Sequence, residues 1–134
     1  MSKNKIKKTG KIDISDLEDL PEDHEFNTAR YFADLGKDVK FIQRSNIPNV
    51  HTPDIRMDGV NWEMKAPVGK SRHTLEKILR KAMSQSDSII FDLRRCKLED
   101  AWAANYLTNA FRENKGIRRL LIIRKNGSLT ELRK

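Results

Sequence analysis

From His24 onward the apolar positions fall into periodic clusters. Phe26, Ala29, Phe32 and Ala33 recur at helical spacing, and Gly36 follows as a stop. Val39, Phe41 and Ile42 then read as a short strand, and residues 45–52, punctuated by Asn and Pro, as a loop. Two strands are predicted near 54–57 and 60–65, joined through the tight-turn dipeptide Asp58-Gly59. In the second, Trp62 and Met64 point to one face while Asn61, Glu63 and Lys65 point to the other. A helix over about 73–85 carries Leu75, Ile78, Leu79, Ala82 and Met83 on one stripe. The nearly continuous apolar run from Ser88 to Leu93 reads as a central strand. A helix over about 98–113 follows, with Leu98, Ala101, Leu107 and Phe111 facing inward. Strands at about 117–124 and 128–133 flank a second turn signal, Asn126-Gly127. The predicted order is αβββαβ followed by αββ, an α/β fold in which a three-layer sandwich surrounds one mixed sheet.

Residues 1–22 lack this periodicity and close on Pro21, so they are expected to be a charged flexible tail before a domain over 23–134. A chain of 134 residues is one domain's worth, and the clustering of its apolar residues argues against disorder despite a charged fraction of 34%. No apolar run reaches the roughly 20 residues that span a bilayer, so no membrane association is expected. The basic N-terminus has no apolar segment behind it, which predicts no signal peptide. A single cysteine, Cys96, excludes an intrachain disulfide and a multi-cysteine zinc site.

Charge narrows the function classes. The net charge of +8 is unevenly spread: residues 1–11 hold five lysines, residues 13–25 seven carboxylates, and residues 26–134 a net +10. A domain this basic is built to meet polyanions, nucleic acid before membrane.

The sharpest chemical feature is Pro53-Asp54 followed, nine positions after Asp54, by Glu63-Met64-Lys65. Glu63 and Lys65 leave the same face of their strand, and pairing across the hairpin brings Asp54 to about 5 Å from that strand's end. Neighbouring carboxylates repel unless a cation shares them, and hard carboxylate oxygens suit Mg²⁺ or Mn²⁺. Such an ion acidifies water and polarises a phosphoryl group, while Lys65 orients or deprotonates the water or offsets charge in the transition state. Glu25, on the first helix, is placed to add a metal or water ligand. A bare Glu-X-Lys on a strand is usually a solvated ion pair worth little; the preceding Pro-Asp, the hairpin and a basic helix behind it point to a site.

Lys70, Arg72, His73 and Thr74 sit where the second helix begins and are candidates for phosphate contact, although Ser71 or Thr74 would serve equally as a plain cap. Lys77, Arg80 and Lys81 form a basic helical face, and Arg94-Arg95 follow the central strand; together they are a candidate nucleic-acid track. His73, with Thr74 and Lys65, offers an alternative general base for a metal-independent ribonuclease. His24 and His51 have no partners at ligand spacing, Trp62 belongs to the core, Trp102 is open to either reading, and Cys96 is incidental.

These residues resemble the PD-(D/E)XK nuclease superfamily, with Pro53-Asp54 similar to its first acidic element and Glu63-Met64-Lys65 to its (D/E)-X-K. Glu25 matches the acid that many members carry on the first helix, and Gln85 a polar residue on the helix after the third strand. His24–Arg30, Thr52-Pro-Asp, Trp62–Gly69 and the stretch from Gln85 through Asp92-Leu-Arg-Arg more narrowly resemble the C-terminal tRNA-nuclease toxin domains of contact-dependent growth inhibition proteins. The resemblance implies a restriction-endonuclease-like core and a metal-dependent endonuclease acting on RNA, with tRNA ahead of DNA. It also implies action in the cytoplasm after delivery from another cell, and an immunity protein as partner. A DNA endonuclease of the same fold, and a non-catalytic nucleic-acid-binding module, are the competing expectations.

Overall fold

The structure, a computed structural model, describes residues 8–134. Its elements are β1 (Ile12–Asp13), α1 (Asp23–Asp34), β2 (Val39–Phe41), β3 (Ile55–Met57), β4 (Val60–Lys65), α2 (Arg72–Gln85), β5 (Ser88–Asp92), α3 (Asp100–Glu113), β6 (Arg119–Ile123) and β7 (Leu129–Arg133). The seven strands lie side by side in chain order as one mixed sheet. β2, β3 and β4 form an antiparallel meander, β4, β5 and β6 run parallel, and β7 returns antiparallel to β6. Each parallel neighbour pair (β1–β2, β4–β5 and β5–β6) is joined through a helix, as a crossover requires.

Alternation along the central strands divides the core between the two faces of the sheet. Ile89, Phe91, Leu120 and Ile122 pack with Leu75 and Leu79 of α2 and with Ala103, Leu107 and Phe111 of α3. Ile90, Leu121 and Ile123 pack on the other face with Ala29 and Phe32 of α1 and with Val39, Phe41, Ile55, Met57 and Trp62. β5 is buried along its whole length, which is why its sequence is apolar without interruption. Trp62 is a core residue, its indole Nε1–H donating to the Met57 carbonyl.

Local signals explain the boundaries. Glu22 and Glu25 form a capping box at the start of α1, and Gly36, at φ +92°, follows its end. Asp58 and Gly59 both have positive φ, the requirement of a two-residue type I′ hairpin. Ser71 caps α2, its Oγ accepting from the Thr74 amide.

The expected tail needs correction. Residues 1–7 lie outside the described residues, but from Gly10 the chain is part of the fold. The Gly10 amide donates to Ala33, β1 pairs with β2, and Ile12, Ile14 and Leu17 pack against the α1-side core. Two strand residues are too few to reveal a period, so sequence patterning had nothing to register.

Candidate active site

Asp54 directly precedes β3. Its amide donates to the Trp62 carbonyl, and the Ile55–Trp62 pairing sets it opposite Glu63. Its Oδ2 accepts from the Met64 amide at 2.7 Å, which holds the carboxylate against β4. Glu63 and Lys65 lie on the face of β4 opposite Trp62 and Met64. Lys65 Nζ reaches Glu63 Oε2 at 3.1 Å, and its side chain remains 20% exposed. The three residues singled out in the sequence therefore converge.

Two more residues join them. Glu25 Oε1 accepts from the Glu22 amide in the helix cap, and its Oε2 meets Arg44 at 3.4 Å. The same guanidinium lies 3.9 Å from Asp54 Oδ1. Arg44 was not singled out in the sequence, because a lone arginine in a loop carries no pattern; the fold alone brings it across from α1. A cavity of about 350 Å³ opens onto Asp54, Glu25 and Arg44, walled on one side by Leu17, Leu20 and Glu22. The N-terminal segment is thus one wall of the site.

Electrostatics mark the cluster as costly. Burial, with the Glu63 charge second, pushes the Asp54 carboxyl up to about 6. Burial also raises Glu63, against the pull of Lys65. Glu63 Oε1 is buried with no hydrogen-bond partner among the described residues. A buried carboxylate oxygen without a partner, on a residue whose charge is felt by a second buried carboxylate, fits a divalent cation or an ordered water.

Among the described residues, no group of three His, Cys, Asp or Glu side chains forms a metal-holding set. Asp54 and Glu63 alone offer two hard carboxylate donors, of the type that Mg²⁺ accepts when water or substrate oxygens supply the rest of its shell. Glu25, expected as a third ligand, spends its oxygens on the cap and Arg44. Gln85 ends α2 with its Oε1 buried and without a hydrogen-bond partner among the described residues.

The other candidates lie outside this cluster. Lys70, Arg72, His73, Thr74, Lys77, Arg80 and Lys81 are all exposed on or just before α2. Arg72 stacks 4.4 Å over Trp102, which itself lies parallel to Tyr106. His73 is 69% exposed and 3.7 Å from Glu76, and no hydrogen bond ties it to Lys65 or the Thr74 hydroxyl among the described residues. Arg94, a candidate for the nucleic-acid track, makes a bidentate pair with buried Asp92, which also accepts from the Thr28 hydroxyl. An acid ending an apolar strand, as Asp92 does, was the available signal for this network.

Residues 51–129 match the family described as "Contact-dependent growth inhibition CdiA C-terminal domain". The chain belongs to that family. The matched stretch contains Asp54, Glu63 and Lys65 and leaves Glu25 and Arg44 outside. Among solved structures, the CdiA-CT/CdiI toxin and immunity complex from Burkholderia pseudomallei contains a chain that superposes with a TM-score of 0.69 at 17% identity. That likeness covers 93% of this chain and all of the other, and it establishes a shared fold. No curated protein matches the chain. Among the described residues of this CdiA C-terminal domain, no helix is long and apolar enough to cross a membrane.

Proposed function

We propose that this domain is the nuclease of a growth-inhibition toxin, a metal-dependent endonuclease of PD-(D/E)XK type that hydrolyses RNA, with tRNA as the leading substrate. The observation that carries the reading is the Asp54–Glu63–Lys65 convergence, with an orphaned Glu63 oxygen at its centre. Membership of the CdiA family supports a toxin role, and the basic surface supports a polyanionic substrate.

In this reading Asp54 and Glu63 hold Mg²⁺ or Mn²⁺. When bound, the ion screens phosphate charge and acidifies water. The Met64 amide fixes Asp54, and the hairpin register fixes Glu63 opposite it, so the pair is preorganised. Lys65 donates to the attacking water or to the phosphate oxygen that gains charge as the P–O bond breaks. Arg44 restrains Glu25 and offsets the charge of Asp54 before substrate arrives. Gln85 remains a supporting residue of this proposal. The domain acts in the cytoplasm of a recipient cell after delivery from another, and an immunity protein is its proposed partner; the solved relative is itself a toxin–immunity complex.

Purified protein incubated with total tRNA and with linear duplex DNA, each with Mg²⁺, Mn²⁺ or EDTA and beside an Asp54→Ala control, tests this directly. Metal-dependent tRNA fragments that vanish in the control are the expected result. Cutting of DNA alone moves the assignment to a DNA endonuclease. Cutting that persists in EDTA overturns the metal mechanism, and no cleavage of either substrate favours a binding module.

A further inference from the structure

Along α1, on the face away from Glu25, lies a second cleft of about 430 Å³. Its walls include His24, Asn27, Arg30, Tyr31, Arg94 and Arg95, and its floor reaches Ala66, the residue after Lys65. Two acids line it. Asp92 is neutralised by Arg94, which leaves Asp34, one turn along α1 from Arg30, as the remaining acid of the lining.

The arginines are held as donors rather than scattered. Arg94 spends Nε and Nη2 on Asp92 and on the Asn27 carbonyl, and its guanidinium lies 5.1 Å from the Tyr31 ring centroid. Its Nη1 has no partner among the described residues. Asp92, itself fixed by Thr28, thus locks a guanidinium in place with one nitrogen to spare. Arg95 donates only Nε, to the Ala66 carbonyl at 2.9 Å, and keeps both terminal nitrogens. Arg30 lies over Phe26 without an ion-pair partner among the described residues. Immobilised guanidinium groups with unspent N–H donors are the chemistry that recognises phosphate.

The loop that carries Arg94 and Arg95 is stitched to the loop leaving β4. Besides the Arg95–Ala66 bond, the Lys97 amide and the Cys96 thiol both donate to the Gly69 carbonyl. The cleft therefore holds a fixed relation to Lys65.

We infer that this cleft is a phosphate subsite that takes a backbone phosphate of the polynucleotide on the α1 side of the sheet, through Arg30, Arg94 and Arg95. The inference rests on the polynucleotide reading of the function. It places anchoring contacts opposite the α2 face, so the bound strand passes over the C-terminal ends of β4 and β5 beside Lys65.

The test is binding of a short fluorescent single-stranded RNA in EDTA, followed across a salt series. Arg30→Gln/Arg95→Gln is expected to bind roughly tenfold more weakly, with the salt slope shallower by about 0.7 for each phosphate that is no longer neutralised. Lys115→Gln/Lys125→Gln, which removes the same charge from exposed positions outside the cleft, is expected to stay close to wild type. Arg30→Gln alone, which disturbs no hydrogen bond to Ala66, is expected to carry part of the loss. Equal weakening in both double variants overturns the subsite, because net charge then explains it. Weakening confined to Arg95→Gln with an unchanged salt slope also overturns it, as that reports a shifted Lys65 loop. Adenosine monophosphate displacing the RNA at equal phosphate concentration would assign the cleft to free nucleotides and overturn the polynucleotide assignment. Binding in EDTA is read without turnover, so a failed cleavage assay leaves this test standing.

Discussion

Asp54 carries the most legible energetics in the molecule. An acid whose folded-state pKa is raised holds its proton more tightly when folded, so it erodes stability as pH rises between the two values. The interval from 3.8 to about 6 corresponds to a cost of about 3 kcal/mol once pH exceeds the upper value. Asp54→Asn keeps an acceptor for the Met64 amide and removes that cost. It is expected to unfold at a higher temperature than wild type above pH 6 and at about the same temperature below pH 3.8. Mg²⁺ should raise the melting temperature of wild type at neutral pH and leave the Asn variant nearly unmoved; equal responses would remove Asp54 from the metal site. Lys65 separates catalysis from binding. In Lys65→Ala, cleavage is expected to fall by about 10²–10³ while RNA affinity changes by no more than about threefold. A parallel fall in affinity would make Lys65 a substrate-binding residue and remove it from catalysis.

At the scale of elements, the site depends on how α1 and the N-terminal segment are seated. Thr28 and Arg94 both bond the buried Asp92, and Arg94 also reaches the Asn27 carbonyl, which fastens the first turns of α1 to the end of β5. Glu25 is thereby held over Arg44. Gly10 has a comparable duty at the sheet edge. A Cβ added there would stand 1.8 Å from the Lys37 carbonyl oxygen, a backbone atom that cannot swing aside. Gly10→Ala is therefore expected to release β1 and loosen the wall formed by Leu17 and Leu20. Limited proteolysis should then cut between residues 10 and 22 much faster than in wild type. Unchanged cleavage would mean that β1 contributes little to holding that wall.

Across the whole molecule, the fold places two basic surfaces on opposite sides of the acidic centre. Lys70, Arg72, Lys77, Arg80 and Lys81 belong to the α2 side, and Arg30, Arg94 and Arg95 line the α1 side. A polyanion held on both sides releases counterions from both. Affinity for tRNA is expected to fall by about 10³ between about 50 and about 200 mM salt, as for roughly six phosphate contacts. A shallow dependence would place the substrate outside the polyanions.

Much of this organisation was readable in the chain. The helices at α1, α2 and α3 follow from apolar spacing. The turns follow from Asp58-Gly59 and Asn126-Gly127, and the buried strand β5 from an unbroken apolar run. Alternation along β4 separated Glu63 and Lys65 from Trp62, because side-chain direction in a strand is a local property of the backbone. The site's other half was not local. Arg44 and Glu25 are separated by 18 intervening residues and meet only through packing. β1 is too short to show a period and exists because β2 offers an edge. Nothing in the sequence pairs Arg94 with Asp92, an acid that the core has already desolvated. Local periodicity and turn signals determined the elements from α1 to β7, and motif spacing singled out Asp54, Glu63 and Lys65. Burial, which depends on what the rest of the chain brings alongside, decided their charge, their partners and the cleft beside them.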